Sequence, residues 1–244
     1  MRGGLEEARR LVADARAVAV LTGAGISAES GVPTFRGPAG LWRSFRPEEL
    51  ATPGAFRRDP QLVWSWYRWR RGLVGGCAPN DGHRALARFA LTHGGVTLVT
   101  QNVDGLHQRA ARDEAGEADP APALPYELHG SLLRDRCSDC GRRSEAEVPE
   151  PDAAESPVPR CSGCDGLLRP DVVWFGEMLD TDTLQSAFNA AAACDLCLVV
   201  GTSSLVYPAA SVPSAALNAG VPVIEVNPEP TPLSPHARVV LRGP

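Results

Sequence analysis

Four cysteines in the second half of the chain have the spacing of metal ligands. Cys137 and Cys140 form one Cys-x-x-Cys pair, and Cys161 and Cys164 form another after 20 intervening residues. Two such pairs can present four thiolates in the tetrahedral arrangement that Zn²⁺ prefers. Because four protein ligands leave no open coordination position, this pattern predicts a structural zinc site. Two redox-active dithiols are the alternative interpretation.

A third Cys-x-x-Cys pair, Cys194 and Cys197, occurs in a different context. It opens the apolar run at 196–200, which has the composition of a buried strand. Residues i and i+3 of a strand face opposite sides, so we expect these two cysteines not to share a metal. We interpret both as small buried apolar residues, and Cys77 has no assigned role.

A glycine motif follows the apolar run at 17–21. The residues at 23–28, Gly-Ala-Gly-Ile-Ser-Ala, fit G-x-G-x-x-A. In this pattern the glycines let backbone N–H groups approach a pyrophosphate, with a helix N-terminus facing it. The acidic residue expected about 20 residues later is missing, because a Gly-, Pro- and Arg-rich segment at 31–59 intervenes. The motif therefore favours a dinucleotide ligand and disfavours a hydride-transferring dehydrogenase.

Three histidines are candidates for a general base or for structural hydrogen bonding. His129 lies just before the cysteine-rich segment, and His107 lies just after an apolar run. Local sequence alone does not choose between the two roles for either residue. His83, which follows Asp81-Gly82, is expected to cap or pack a helix.

Short apolar runs alternate with helical patterns along the chain. The runs occupy 17–21, 96–100, 196–200 and 221–226, and each ends in small or polar residues. The helical patterns occupy 5–16, 60–72, 82–93, 181–193 and 208–219. This alternation predicts an α/β fold with a parallel sheet covered on both faces. Ligands bind such sheets at the carboxyl ends of the strands, where these polar residues lie.

The amino-acid composition and net charge exclude several classes of protein. The 244 residues, with 43% apolar and 22% charged side chains, suit one large folded domain with a smaller insertion. A net charge of −5 disfavours nucleic acid as a partner. No apolar run approaches the roughly 20 residues that span a bilayer, and we expect no membrane partner. Seven cysteines without an export signal favour a reducing compartment, and we expect a cytoplasmic protein.

Six segments resemble, in order, the sequence signature of the sirtuins, which are NAD-dependent protein-lysine deacylases. They lie at 23–37, 100–107, 128–131, 172–177, 201–204 and 227–229. The resemblance covers roughly residues 5–242 and includes the position of the zinc-like module. It implies a Rossmann-like domain formed by 1–130 and 171–244, with a cofactor loop and helical lobe at 31–72. It also implies an inserted zinc-ribbon module at 131–170.

The resemblance also implies residue roles. His129 would be the general base that activates a ribose hydroxyl after nicotinamide leaves, with Asn102 as a second catalytic residue and His107 structural. The products would be free lysine, nicotinamide and O-acyl-ADP-ribose. The implied NAD-binding residues are Gly23, Ala24, Gly25, Ala28, Glu29, Phe35, Arg36, Trp42, Gln101, Asn102, Asp104, Gly201, Thr202, Ser203, Asn227 and Glu229. The last two would hold the adenosine ribose, which explains the missing acid of the glycine motif.

The implied substrate is an acylated lysine side chain of a protein. The substrate peptide would lie as a strand between two segments, Phe175-Gly176-Glu177 and the residues at 204–206. Tyr67 and Arg70, spaced i and i+3 on a helix, resemble with Ala51 the sirtuin branch that removes succinyl, malonyl and glutaryl groups. Arginine and a phenol can hold the terminal carboxylate, and alanine leaves room for a longer acyl chain. A solvated basic helix face formed by Arg68, Arg70 and Arg71 is the alternative.

Three other functions share these motifs. A plain deacetylase or a mono-ADP-ribosyltransferase could use the same scaffold, and a non-catalytic protein could sense NAD or ADP-ribose and bind partners through the zinc module. The joint presence of His129 and Asn102 disfavours a pure sensor. We expect a monomeric NAD-dependent deacylase that removes succinyl and malonyl groups and, more weakly, acetyl groups.

Overall fold

The computed structural model describes residues 2–34, 46–146 and 156–243. Three residues expected in the cofactor loop, Phe35, Arg36 and Trp42, lie outside these ranges. Within them, no helix is both long enough and apolar enough to cross a membrane.

Six parallel strands form the larger sheet. They are β1 (Val18–Thr22), β2 (Val96–Thr100), β3 (Tyr126–Glu127), β7 (Leu196–Val200), β8 (Val223–Val226) and β9 (Val239–Leu241). Their order is β3-β2-β1-β7-β8-β9, which places β1 between β2 and β7. The predicted Rossmann-like sheet is confirmed. The loops that follow β1, β2 and β7 leave the same edge of the sheet, which is where such folds bind ligands.

Eight α-helices are present in the described ranges. They are α1 (Arg2–Asp14), α2 (Pro47–Leu50), α3 (Pro53–Arg58), α4 (Pro60–Gly75), α5 (Asp81–His93), α6 (Leu106–Ala115), α7 (Thr181–Ala193) and α8 (Val212–Asn218). Alternate residues of β1 point to opposite faces of the sheet. Ala19 and Leu21 pack in a core with α7 and α8, whereas Val18 and Val20 pack in a core with α1 and α5.

A second, antiparallel sheet is formed between residues 130 and 172. Its strands are β4 (Gly130–Cys137), β5 (Arg143–Glu145) and β6 (Leu168–Val172), in the order β5-β4-β6. Helix α4 packs against it in a third core that includes Trp64, Tyr67, Leu132 and Trp174. The indole N–H of Trp64 donates to the Leu168 carbonyl at 2.8 Å, one of several bonds between α4 and this part of the chain.

The arginines of α4 attach this helix to the smaller sheet. Arg71 is buried, and its Nη2 lies 2.5 Å from Asp135 Oδ1 while its Nε donates to the Leu132 carbonyl at 2.7 Å. Half-buried Arg68 donates to the carbonyls of Ser156 and Pro157, each at 2.6 Å. Arg70 and Arg71 are both buried, so α4 does not present a solvated basic face of three arginines.

The four predicted metal ligands come together at one end of the smaller sheet. The sulfur atoms of Cys137, Cys140, Cys161 and Cys164 all lie within 4.8 Å of one another. Cys137 Sγ is 3.5 Å from Cys164 Sγ, and Cys140 Sγ is 3.7 Å from Cys161 Sγ. Tetrahedral zinc with Zn–S bonds near 2.3 Å separates its sulfurs by about 3.8 Å. The cluster therefore fits a structural zinc ion.

Hydrogen bonds to these sulfurs also favour a bound cation. The pKa of Cys137 is lowered to about 6, chiefly because the backbone N–H of Cys140 donates to its sulfur. The backbone N–H of Gly166 acts to lower the pKa of Cys164, but the neighbouring sulfurs of Cys137 and Cys140 raise that pKa to about 12. The Cys164 thiol therefore ionises near neutral pH only beside a positive ion, and Zn²⁺ supplies that charge.

Cys194 and Cys197 are buried, as expected, but our reason for separating them is wrong. Helix α7 continues to Ala193, so Cys194 is the residue that ends this helix and precedes β7. Both cysteines consequently pack in the same core, on the α7 side of the sheet. Burial raises the pKa of Cys197 to about 12, which makes it an unreactive apolar residue.

We predict that the protein binds one zinc ion per chain through the four-cysteine cluster. A Cys137→Ser/Cys161→Ser double variant should lose the metal and unfold at a lower temperature, because metal binding supplies folding free energy to a module with few apolar residues. Elemental analysis and thermal unfolding measure the two effects. Cys194→Ser is the control and should keep one zinc ion. Full zinc occupancy in the double variant would contradict the assignment.

Candidate functional site

The loops that follow β1 and β7 are in backbone contact. The N–H of Gly25 donates to the Gly201 carbonyl at 2.7 Å, and the N–H of Gly23 donates to the Val200 carbonyl at 3.1 Å. A Cβ at residue 25 would lie 2.6 Å from the Gly201 oxygen, and one at residue 23 would lie 2.7 Å from Thr202 Cβ. No side chain fits at either position. The two glycines are therefore required by the packing of one loop on the other, in addition to any approach of a pyrophosphate.

The segment after this glycine loop is a 3₁₀ helix over Ala24–Ser30. The glycine motif predicts a helix here, and the structure provides a short, tight one. Ala28 and Glu29, two of the expected cofactor residues, are exposed on it, whereas Ser27 is completely buried.

Two side chains that follow β2 tie the β1 and β7 loops together. Gln101 Nε2 donates to Thr202 Oγ1 at 2.9 Å. Asn102 Nδ2 donates to the Gly23 carbonyl and to Ser27 Oγ, both at 3.1 Å. The predicted convergence of residues from three strand ends is therefore present, and Asn102 is buried within it.

Ser27 is a residue of this site to which the sequence interpretation gave no role. Its hydroxyl donates to Asp104 Oδ2 at 2.7 Å and lies 3.3 Å from His83 Nε2. Asp104 in turn accepts the N–H of Leu106 at the start of α6. His83 forms a capping box with Asn80 at the start of α5, so its expected capping role is confirmed. The position of Ser27 inside the glycine motif is the only sequence signal for this network.

His107 has the buried environment of a structural residue. Its Nε2 lies 2.9 Å from Thr22 Oγ1, which donates to Thr100 Oγ1 at 2.8 Å. Desolvation, reinforced by the nearby His83 ring, lowers the pKa of His107 to about 3. This imidazole is neutral at physiological pH and links β1 to α6, which is the structural role that we expected for it.

His129 lies in the turn between β3 and β4, beside the residues just described. Its Nδ1 is 2.9 Å from the Gln101 carbonyl, and its own carbonyl accepts the N–H of Val173 at 2.9 Å. A carbonyl at Nδ1 requires the proton to be on that nitrogen, which leaves Nε2 as a proton acceptor. Desolvation lowers the pKa of the half-buried ring below 6.5, although the bond to Gln101 acts to raise it. The imidazole is therefore neutral and basic at pH 7.

The expected substrate residues meet at the segment that follows β6. The N–H of Phe175 donates to the carbonyl of buried Ala51 at 2.9 Å, and the Phe175 side chain is 44% exposed. The Glu177 carboxylate is directed inward, where it accepts from Arg169 at 2.5 and 2.9 Å and from the N–H of Trp174 at 2.8 Å. Glu177 therefore holds the shape of this segment from within, and Gly176 (φ +87°) makes the turn.

Tyr67 and Arg70 share one buried region on α4. The Arg70 guanidinium carbon lies 4.9 Å from the centroid of the Trp66 ring and 5.8 Å from that of Tyr67. The Tyr67 hydroxyl accepts the indole N–H of Trp174 at 2.8 Å. Burial is the main cause that lowers the pKa of Arg70 and raises the pKa of Tyr67. The arrangement offers a buried cation beside a protonated phenol.

The loop that carries Asn227 and Glu229 is held by Arg242, which the sequence interpretation did not single out. Arg242 Nη1 donates to the Glu229 carbonyl at 2.7 Å and to the Asn227 carbonyl at 3.3 Å. The same guanidinium lies 3.7 Å from the carboxylate of buried Glu225. Asn227 Nδ2 donates to the Glu229 carbonyl at 2.8 Å, which tightens the turn after β8.

Two observations indicate that a dinucleotide can bind at the carboxyl ends of β1 and β7. The glycine-rich loops after β1 and β7 lie side by side at the carboxyl ends of their strands, where backbone N–H groups of such loops bind phosphates. Half-buried Ser203 is followed by Ser204, whose φ is +55° and whose buried hydroxyl has no hydrogen-bond partner within the described part of the chain. An orphaned buried hydroxyl of this kind is a group that a ligand can satisfy.

Comparison with known proteins identifies the family. The Sir2 family model matches residues 23–208. The NAD-dependent protein deacylase 2 of Pyrobaculum aerophilum is 49% identical over 233 residues, which cover 96% of this chain and 88% of that protein. A Sir2 homologue variant in complex with ADP-ribose superposes with a TM-score of 0.88 at 44% identity, covering 98% of this chain and 90% of the other.

A second solved structure contains both kinds of ligand that the site would need. This complex of Sir2, a p53 peptide and NAD⁺ superposes with a TM-score of 0.81 at 30% identity, and covers 98% of this chain and 92% of the other. The similarity extends over nearly the whole chain in sequence and in fold. The chain therefore belongs to the Sir2 family, the NAD-dependent protein deacylases.

Proposed function

We propose that this protein removes succinyl and malonyl groups, and more weakly acetyl groups, from lysine side chains of proteins. The observation that carries the proposal is the buried Arg70 guanidinium beside the Tyr67 phenol. Lysine succinylation or malonylation places a carboxylate at the far end of the acyl chain. A buried cation with a neighbouring phenol is the chemistry that recognises such a group.

The geometry around Arg70 suits the selection of acyl groups that end in a carboxylate. Trp66 flanks the guanidinium at 4.9 Å from its ring centroid, so the charged group is held in place before a ligand arrives. Its planar fork can then form two parallel hydrogen bonds to a carboxylate, and Tyr67 can donate a third. Ala51 is buried, and its small side chain would leave more room for a longer acyl chain than a larger residue would.

His129 supplies the base. With Nδ1 held by the Gln101 carbonyl, Nε2 is available to accept a proton from a ribose hydroxyl of the bound co-substrate. NAD contributes the ribose carbon from which nicotinamide leaves and to which the acyl oxygen is transferred. Gln101 also binds Thr202, so the base and the loop proposed to contact phosphate and ribose are positioned by one residue. Asn102, fixed to Gly23 and Ser27, would shape the nicotinamide end of this pocket.

The remaining proposed residues complete the ligand sites. Asn227 and Glu229, on the turn held by Arg242, would bind the adenosine ribose. Phe175 and Leu205, both partly exposed, would border the strand formed by the substrate peptide. The roles of the other co-substrate residues, including Phe35, Arg36 and Trp42 outside the described ranges, are those that the family resemblance implies.

We further propose that the protein acts as a monomer in the cytoplasm. All seven cysteines lie in the described ranges and none forms a disulfide there, which suits a reducing compartment.

We predict that Arg70→Met selectively weakens the use of acidic acyl groups. Loss of a charge-assisted bidentate contact costs roughly 1.5–3 kcal/mol, which lowers kcat/KM for a succinyl-lysine peptide about 10- to 150-fold through KM. Activity on the matched acetyl-lysine peptide should change little. Arg70→Lys should recover only part of the loss, because an ammonium group cannot reproduce the planar fork.

Arg68→Met is the matched control for this experiment. Arg68 donates to the carbonyls of Ser156 and Pro157, away from Tyr67, so both activities should survive its replacement. Equal losses on succinyl and acetyl substrates in Arg70→Met would contradict the acidic-acyl proposal and leave a plain deacetylase.

We predict that His129→Ala retains NAD binding and loses turnover. Removal of a general base lowers kcat by on the order of 10²–10⁴. His93→Ala is the control, because His93 contacts the Ala15 carbonyl at the opposite end of the sheet. Unchanged turnover in His129→Ala would assign the base elsewhere.

His129 also sets the expected pH dependence of the reaction. Because desolvation lowers the pKa of His129 in the free protein, its basic form persists to lower pH, and the acid limb of kcat/KM should have its midpoint below pH 6.5. A pH profile of kcat/KM measures this limb. An acid limb well above pH 6.5 would contradict the assignment of the base to this desolvated histidine.

A further inference from the structure

We propose that Trp174 is a positioning residue for acyl selectivity: its indole N–H directs the Tyr67 hydroxyl proton toward the carboxylate of the acyl group. The proposal rests on the acidic-acyl function above and adds a residue to it. Trp174 touches Tyr67 and would act through it.

The hydrogen bond between the two rings fixes which partner donates. Trp174 Nε1 lies 2.8 Å from the Tyr67 oxygen, and both side chains are 2% exposed. An indole nitrogen can only donate, so the phenol oxygen is the acceptor of this bond. The phenol proton must then be given to some other acceptor. Among the residues that the structure describes, Tyr67 donates to none.

A cation, the Arg70 guanidinium, lies close to Tyr67. The Arg70 guanidinium carbon is 5.8 Å from the Tyr67 ring centroid and follows it by three residues on α4. A carboxylate that binds Arg70 would be within reach of the phenol and supply the missing acceptor. Burial, the main influence on the Tyr67 phenol, raises its pKa and keeps it protonated as a donor.

Trp174 is itself held rigidly, as a positioning residue must be. The Arg169 guanidinium carbon lies 3.3 Å from the Trp174 ring centroid, and Phe56 packs on the ring at 5.3 Å. Arg169 is fixed by two bonds to Glu177 and by one to the Val172 carbonyl at 2.7 Å. Rotation of the indole away from Tyr67 would break this stack. The orientation of the phenol proton is therefore set before the substrate binds.

The test is a comparison of Trp174→Phe with Trp64→Phe. The first variant keeps an aromatic ring and removes the N–H that binds Tyr67. The second removes the other buried indole bond of the same core, from Trp64 to the Leu168 carbonyl, which does not involve Tyr67. KM and kcat are measured for paired succinyl- and acetyl-lysine peptides with saturating NAD.

The expected result is a selective rise in KM. Trp174→Phe should raise KM for the succinyl peptide about 3- to 10-fold, which is the effect of losing one neutral hydrogen bond. The kcat for this peptide and the reaction of the acetyl peptide should be nearly unchanged. Trp64→Phe should leave the ratio of the two activities as in the wild type. In a Tyr67→Phe background, Trp174→Phe should add no further loss, because the hydroxyl that it orients is already absent.

Two outcomes would overturn the inference. Equal losses on both peptides in Trp174→Phe, or an additive loss in the double variant, would show that Trp174 only packs the core. If Trp174→Phe does not fold, site-specific replacement of Trp174 by benzothienylalanine, which keeps the ring shape and substitutes sulfur for N–H, gives the same readout. A selective loss in Arg70→Met without one in Trp174→Phe would refute this inference alone, whereas no selective loss in Arg70→Met would refute the proposed function.

Discussion

The backbone contact between the loops after β1 and β7 is the constraint on which the site depends. Gly25 and Gly201 meet at 2.7 Å from nitrogen to oxygen, a distance that excludes a Cβ at residue 25. Asn102 and Gln101, from the end of β2, then bond to these two loops, and the Gln101 carbonyl orients His129. A parallel sheet that brings three strand ends to one edge thus fixes both the proposed co-substrate cradle and the proposed base.

The proposed recognition of the acyl group depends on a second feature, the attachment of α4 to the smaller sheet. The buried pair Arg71–Asp135 and the bond from Arg71 Nε to the Leu132 carbonyl fix the rotation of this helix. Charges are buried in pairs because an isolated buried ion is costly, so the pair also specifies how α4 docks. Tyr67 and Arg70 lie on the same helix, and their orientation follows from that docking. The four-cysteine cluster stabilises the sheet to which the helix is attached.

The sequence predicted those features that are encoded locally. Strands β1, β2, β7 and β8 are buried parallel strands and therefore continuous apolar runs, whereas β3 and β9, of two and three residues, carry no periodicity to detect. The cysteine spacing was sufficient for the metal cluster. The geometry of Cys194 was predicted wrongly, because the end of α7 is set by tertiary packing. The bond between Trp174 and Tyr67 joins residues 107 positions apart, and no local pattern reveals it.

The central claim is that the chain couples NAD cleavage to the removal of an acidic acyl group from lysine. The most direct measurement is mass spectrometry of all products after the wild-type protein is incubated with NAD and a succinyl-lysine peptide. The account predicts equal amounts of nicotinamide, unmodified peptide and O-succinyl-ADP-ribose, formed faster than the corresponding products from an acetyl-lysine peptide. Binding of NAD with no turnover, transfer of ADP-ribose to protein, or a reaction confined to the acetyl peptide would contradict it.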